Sequence, residues 1–569
     1  MTVWLPKKSV GPVSDIEIRG KKIPKVIVQI LQNRGYNTVG KIEEFFAPSL
    51  TNLYDPFLMS GMEKAVDRII KAVRNKEYIL VHGDFDTDGI TGVALLCHNL
   101  KKLGVDVDYY IPQRLVEGYG FSMGGINQAL KNGCSLIITV DCGITATNEI
   151  VYAHKNNIDV IICDHHKPKE ALPPAYALLD PKLPGDNYPF KELAGVGVAF
   201  KMLQAIYEKL RLPKEELYLD LDLVALGSVV DVVPLVDENR TIVKYGLKKI
   251  IKSKKVGFQA LLEETGLKRG LTAYHLGFII GPRINACGRL RDAKEALELF
   301  LTKDTSHAAK LARDLSQDNT RRQEVETTIY SEAKGLIEQE GRDRDRVILV
   351  GKQGWHEGVI GIVASRISED YYRPTILLAL KKDVAKGSAR SIKDIDITEV
   401  LHSCAPLLIK FGGHSQAAGL EMKREGVAEL RDCINRYAEK FDDEIFKKRS
   451  LYDIELNLDE ITDEVVYFLK FFEPTGAANP QPIFLGENFE VVGVPRVVGD
   501  KHLKFALRNR EKALGAIAYN QAENILNIEV GKTRVDCLYS VAEDSFLGKR
   551  KIVLKVKEMR KTKCANDCE

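Results

Sequence analysis

The chain has 569 residues, 45% hydrophobic and 28% charged, with a formal net charge of +3, which fits two to four globular domains and leaves any nucleic-acid contact to local basic surface. Ten cysteines are scattered without a Cys-x-x-Cys pair, which argues against a disulfide scaffold and a zinc ribbon; Cys564 and Cys568 are close in sequence but have no second pair or histidine beside them. Met1 to Val10 has no signal-type apolar core and no stretch approaches about 18 uninterrupted apolar residues, so the expectation is a cytoplasmic protein with no membrane contact.

In chain order, residues 1–60 read as an N-terminal arm, with a helical pattern around Ile27–Asn33. An α/β domain over 61–235 follows, its strands read at Tyr78–Val81, Val105–Ile111, Leu136–Val140 and Val160–Cys163, with an apolar run Leu221–Val230 taken in the same way. That alternation predicts an open, largely parallel sheet. Residues 236–340 supply connecting helices, long ones over 292–340 where Ala, Leu, Glu, Lys and Arg abound without Pro. A smaller α/β domain is expected over 341–445, with strands at Arg346–Val350 and Thr375–Leu380. Residues 446–569 alternate apolar and polar positions in short runs, the pattern of a small OB-like β-barrel.

The strand Tyr78–Val81 runs into His82-Gly83-Asp84-Phe85-Asp86-Thr87-Asp88. Three carboxylates and an imidazole at one strand end repel one another unless cations neutralise them. The pattern recurs at Asp141 after Leu136–Val140, at Asp164-His165-His166 after Val160–Cys163, and at Asp231 after Leu221–Val230. A solvated acidic turn explains one such end, but not four in succession. Ligands bind beyond the carboxyl ends of strands in open α/β sheets, and oxygen-rich sites with imidazole suit two Mg²⁺ or Mn²⁺ ions. Such a pair serves phosphoester hydrolysis. No Walker-type loop and no Gly-x-Ser-x-Gly elbow is present.

The core of His82, Asp86 and Asp88, the lone Asp141 and the Asp164-His165-His166 run resemble the motifs of the DHH phosphoesterases. Longer segments, Val140–Ile144, Gly281–Ala286, Gly354–Gly361 and Phe411–His414, resemble the RecJ family of exonucleases in particular. The fold implied is a DHH-type parallel-sheet metal domain and a DHHA1-type α/β domain joined by long helices, with the barrel appended. The resemblance implies that His82 and Asp86 hold one metal, that Asp88, His165 and Asp231 hold the other, and that Asp141 bridges them. His166 then faces the scissile phosphate, and Asp84 and Asp164 assist as catalytic auxiliaries. It further implies a monomer that degrades single-stranded DNA from the 5′ end in recombination and repair, in company with a single-strand-binding protein and a RecQ-type helicase. A DHH oligoribonuclease, a cyclic-dinucleotide phosphodiesterase and a non-catalytic DNA-binding scaffold stay open as alternatives. The chain departs from the family at Glu357, where Pro is common, and at Glu473-Pro474-Thr475-Gly476.

For substrate contacts, Arg114 lies beyond the strand Val105–Ile111, and the resemblance adds Ser388 and Arg390 as a grip on a 5′-terminal phosphate. Gly412-Gly413-His414 offers open backbone amides and an imidazole, or simply a β-turn. Arg283 and Asn285 either reach a phosphate or base or brace a junction. In the last domain Phe484, Phe505 and His502 lie among Lys501, Lys504 and Arg508, as in a base-stacking platform, with Lys549-Arg550-Lys551 and Lys555 to Lys563 extending it or forming a solvated strand face. The lysine cluster Lys248 to Lys255 is equally open to both readings.

Overall fold

The four apolar runs read as strands between residues 78 and 163 pair side by side in the computed structural model, which describes residues 2–8, 15–18, 20–114, 116–546 and 549–562. The sheet runs Val107–Tyr110, Ile79–Gly83, Leu136–Val140, Asp159–Cys163, Ala177–Leu179, every neighbour parallel. Its inner strands Ile79–Gly83 and Leu136–Val140 are buried along their whole length, as a parallel sheet covered by helices on both faces requires. All their carboxyl ends therefore point to one rim.

Leu221–Val230 is not a strand. It is an α-helix with Leu221 through Ser228 buried, and a helix that is apolar all round carries no periodicity by which to tell it from a buried strand. Asp231 still arrives at the rim, but from the carboxyl end of that helix.

The chain divides into two units, residues 53–448 and residues 1–52 with 449–569. Within the first, the helices Lys294–Leu301 and Thr305–Gln339 lead to a second sheet in the order Leu408–His414, Ala417–Lys423, Val384–Arg390, Thr375–Leu380, Ile348–Gln353. Only its last two strands are parallel to each other. Gly412, Gly413 and His414 lie in a strand paired with Ala417–Gly419, not in a free turn. Cys404 and Cys433 are joined by a disulfide, a single pairing the sequence reading did not anticipate. The two are 29 residues apart, a separation that shows nothing in the sequence.

In the other unit, five long strands close into a barrel through the pairing of Phe484–Val498 with Arg534–Phe546. The first 52 residues are more than a lead-in arm, since Ile27, Ile30, Leu31, Ile42 and Phe45 share one core with Phe472, Phe489 and Phe505. Phe484 and Phe505 are 0% and 5% exposed, so neither is a stacking platform. They occupy inward positions of alternating strands. Cys564, Cys568 and Lys563 lie outside the described residues. Among the described residues, no helix is long and apolar enough to cross a membrane.

Candidate active site

Asp86 caps the helix Thr87–Lys102, its Oδ1 accepting from the amides of Asp88 (2.9 Å) and Gly89 (3.3 Å). This cap turns the chain sharply at the strand end, and it brings Asp84, Asp86 and Asp88 to the rim together. Asp88 is then fixed by a second helix start, with Gly195 N donating to Oδ2 at 2.6 Å and Val196 N to Oδ1 at 2.8 Å. Gly195 has no room for a side chain, because a Cβ there would lie 2.6 Å from Asp141 Cβ. Asp141 itself adopts a left-handed backbone with φ of 61°, a sparsely populated conformation for a residue with a side chain.

Three groups of ligand atoms result, each within 4.8 Å: Asp84, Asp86 and Asp141; Asp88, His165 and Asp231; and Asp141, His165 and His166. His165 Nε2 lies 3.1 Å from Asp141 Oδ1, 3.6 Å from Asp231 Oδ2 and 3.8 Å from Asp88 Oδ2. Burial and the neighbouring carboxylates push Asp141 and Asp231 well above the usual range, and raise Asp88 to about 7. Asp84 is raised in the same way, by burial and then by Asp86. Burial, with the charge of His166 second, lowers His165 to about 3, so its imidazole is neutral and ready to act as a ligand. So many acids at one rim repel each other without a cation. The donors are all carboxylate oxygen and imidazole nitrogen, and the nearby thiol of Cys142 is held neutral by burial. The set fits hard divalent cations.

His82 is not gathered with these groups. Its ring is fully buried between Tyr110 and Phe121, at 5.3 and 5.0 Å, and Ser122 N donates to Nε2 at 3.3 Å. Burial pushes it down to about 3. Asp84, rather than His82, is gathered with Asp86 and Asp141. Asp164 serves by holding its neighbours, with Oδ2 accepting from Ile144 N and Oδ1 from the amides of His165 and His166 and from His166 Nδ1 at 2.8 Å. Although burial opposes it, that bond to Asp164 raises the His166 pKa.

Beside the acids stands a cationic cluster. Arg114 packs over Phe85 at 4.9 Å and feels Asp84 and Asp86. Arg390 donates to Ser388 Oγ at 3.0 Å. Arg289 is pushed down to about 10 by burial and by the charges of Arg114, Arg322 and Arg390. Arg322 is already paired with Glu326, and Arg114, Arg289 and Arg390 beside it form a cationic patch suited to an anion. A crevice of about 370 Å³ lined by Arg114, Gly358, Lys386, Gly387 and Gly412 adjoins them. Glu357 lines it too, paired with Lys381 and with Lys386, so the departure from Pro places a charge there instead of altering a helix start.

Asn285 braces the acidic loop, its Oδ1 accepting from Thr87 N at 2.9 Å and Thr87 Oγ1 at 2.7 Å. Arg283 donates to Ser316 Oγ and to the Ile279 carbonyl, which ties two helices together. Asn285 also lines a crevice together with Arg289 and Arg322. His414 is exposed and stands apart from the three ligand groups.

Sequence reasoning passed over Arg289 and Tyr119. The Tyr119 hydroxyl donates to the Asp141 carbonyl at 2.8 Å and lies 3.1 Å from His166 Nε2. Nothing in the Gly118-Tyr119-Gly120 loop signals that role; Gly288-Arg289-Leu290, directly after Gly281–Ala286, offered more.

The DHH family, N-terminal domain profile matches residues 78–228, the DHHA1 domain profile residues 344–440, and the RecJ OB domain profile residues 452–558. The single-stranded-DNA-specific exonuclease RecJ of Bacillus subtilis is 38% identical over 541 residues, covering 94% of this chain and 68% of that protein. That of Dickeya dadantii is 37% identical over 571 residues, 96% and 98% of the two chains. The chain belongs to the RecJ family. A crystal structure of RecJ from Thermus thermophilus in complex with Mn²⁺ superposes with a TM-score of 0.82 at 32% identity, covering 95% of this chain and 76% of that one. The Mn²⁺ of that RecJ structure accords with the oxygen-rich donor set found here.

Proposed function

We propose that this chain is a 5′-to-3′ exonuclease of single-stranded DNA that hydrolyses phosphodiester bonds at an acidic two-cation centre and releases 5′-mononucleotides. The observation that carries this reading is the position of Asp141, which gathers with Asp84 and Asp86 and whose Oδ1 lies 3.1 Å from Nε2 of His165, itself gathered with Asp88 and Asp231. Asp84, Asp86 and Asp141 would hold one cation, and Asp88, His165 and Asp231 the other. Bound divalent ions supply a more acidic water and neutralise charge on the attacking and leaving oxygens.

The protein's own groups do the rest. His166, fixed by Asp164 and kept readily protonated by it, holds a proton at the crevice where a scissile phosphate would carry its charge. The Tyr119 hydroxyl keeps the Asp141 backbone and the His166 ring in register. Arg114, Arg390 and Ser388 grip a terminal 5′ phosphate, which sets polarity by favouring a phosphorylated end at the acidic centre. The barrel holds the strand that follows. Incubating the protein with 5′- and 3′-labelled single strands, with and without Mn²⁺, tests reaction, polarity and cation dependence at once. Mononucleotides released from a 3′ end would overturn the reading.

Arg390→Ala is expected to lower kcat/KM on 5′-phosphorylated strands by about 10- to 100-fold, since a charged hydrogen bond contributes about 1.5–3 kcal/mol. Strands with a 5′ hydroxyl should lose far less. Equal losses on both would show that Arg390 only supports Ser388.

A further inference from the structure

The lysine cluster near residue 250 gains meaning from its surroundings. A cavity of about 850 Å³ lies where the last turn of the helix Thr87–Lys102 meets the start of Leu221–Val230 and the loop after Asp237–Ile251. Seven lysines line it against two aspartates and no arginine, a surplus larger than the +3 of the entire chain.

The aspartates are already engaged. Asp220 pairs with Lys102 at 3.2 Å and Lys255 at 2.9 Å and accepts from Asn99, while Asp222 pairs with Lys255 at 2.7 Å and accepts from Ser253. They form a buried, neutralised floor. Among the described residues, Lys101, Lys249, Lys252, Lys254 and Lys303 have no carboxylate within ion-pair distance. The other titratable group facing the cavity, His98, is kept neutral, burial pushing it down to about 4. Leu219, Val256 and Leu301 add an apolar wall, and Leu219 is 56% exposed.

Five unpaired ammonium groups around a concave space repel one another, and an anion relieves them. Lysine, a compact point charge with three rotatable donors, suits tetrahedral phosphate. The volume lies within the range of small-ligand sites, roughly 300–1,000 Å³, and the apolar wall can take a base. We propose that this cavity binds a nucleoside polyphosphate, its phosphates among Lys101, Lys249, Lys252, Lys254 and Lys303 and its base against Leu219 and Val256.

The position separates this site from the acidic centre. Asp86 and Asp88 begin the 16-residue helix whose end lines the cavity, about 24 Å away at 1.5 Å per residue. Asp231 likewise ends the helix Leu221–Val230 that begins at the cavity. A ligand here leaves the strand's path to the cations open, and it touches the two helices that carry the carboxylates.

Calorimetric titration of the full-length protein with ATP in excess EDTA, which removes divalent cations from the acidic centre, tests the proposal. The expected result is one binding site with Kd on the order of 10–100 μM, weakened at least tenfold in Lys249→Glu/Lys252→Glu and kept in Asp141→Asn. Inorganic tripolyphosphate should displace ATP, and hexaglutamate should not. Should the double charge reversal unfold the protein, as judged by circular dichroism, Lys252→Ala/Lys303→Ala takes its place with an expected loss of about threefold or more. No binding at millimolar ATP, binding untouched by the lysine substitutions, or displacement by hexaglutamate as effective as by tripolyphosphate would each overturn the proposal.

Discussion

Asp141→Asn is expected to lower kcat by a factor on the order of a thousand or more, and in excess chelator to melt above the wild-type protein. Both effects follow from one position. Asp141 is 1% exposed, 3.1 Å from His165, and faces Asp84, Asp86, Asp88 and Asp231, whose charges drive its pKa up after burial has done so. Without cations that repulsion acts against folding, and asparagine removes it at constant size. Each kcal/mol recovered shifts the melting temperature by about 2–4 °C in a domain of this size. Asparagine also tolerates the left-handed backbone found there better than alanine. The catalytic loss has a separate origin, since a neutral amide cannot serve two cations. Wild-type turnover by the variant, or full hydrolysis in excess chelator, would refute the two-cation centre. A lower melting temperature in chelator would refute the repulsion.

The sequence pointed to most of the acids that the structure gathers at the rim. Asp86, Asp88, Asp141 and His165 follow directly from strand ends because a parallel sheet sends all its carboxyl ends to one rim. Asp231 was found for a partly wrong reason. Its apolar lead-in is a helix, and a segment buried on every face shows neither a period of 2 nor one of 3.6. His82 sits inside the strand Ile79–Gly83 and Asp84 just beyond its end, and only the packing of His82 against Tyr110 and Phe121 shows that Asp84 is the one gathered with the other acids. The arginine cluster was half legible. Arg114 and Arg390 carried motif signals, while Arg289 and Arg322 come from helices that the chain brings in later. In the barrel, alternation located the strands correctly, yet the aromatics picked from it proved to be core, as inward positions of a small barrel must be filled.

With Phe484 and Phe505 inside, strand binding by the barrel has to come from its outer face, and register shows where. Arg496 stands opposite Lys504, Lys504 opposite Ile517, and Ile517 opposite Lys555. All three cations are exposed, so they form a row across four strands. Next to it Tyr519, 47% exposed, packs on His502 at 5.1 Å, which supplies an aromatic surface for a base. Reversing the row in Arg496→Glu/Lys504→Glu/Lys555→Glu is expected to weaken binding of a long single strand about 100-fold at low salt. Each phosphate contact on a single strand contributes about 0.7 to the slope of log K against log salt, so losing three should flatten it by about 2. Cleavage of a dinucleotide, which needs only residues of the 53–448 unit, should stay within about twofold of wild type. A fragment of residues 53–448 should behave alike. A cut at Lys448 alone is the wrong test, because it leaves the apolar faces of Ile27, Ile30 and Phe45 without the core they share with the barrel. If the triple variant binds long strands with unchanged affinity and salt slope, the row plays no part and the strand is held elsewhere. If it loses dinucleotide cleavage as well, the substitutions have disturbed more than the barrel surface, and the division of labour between the two units fails.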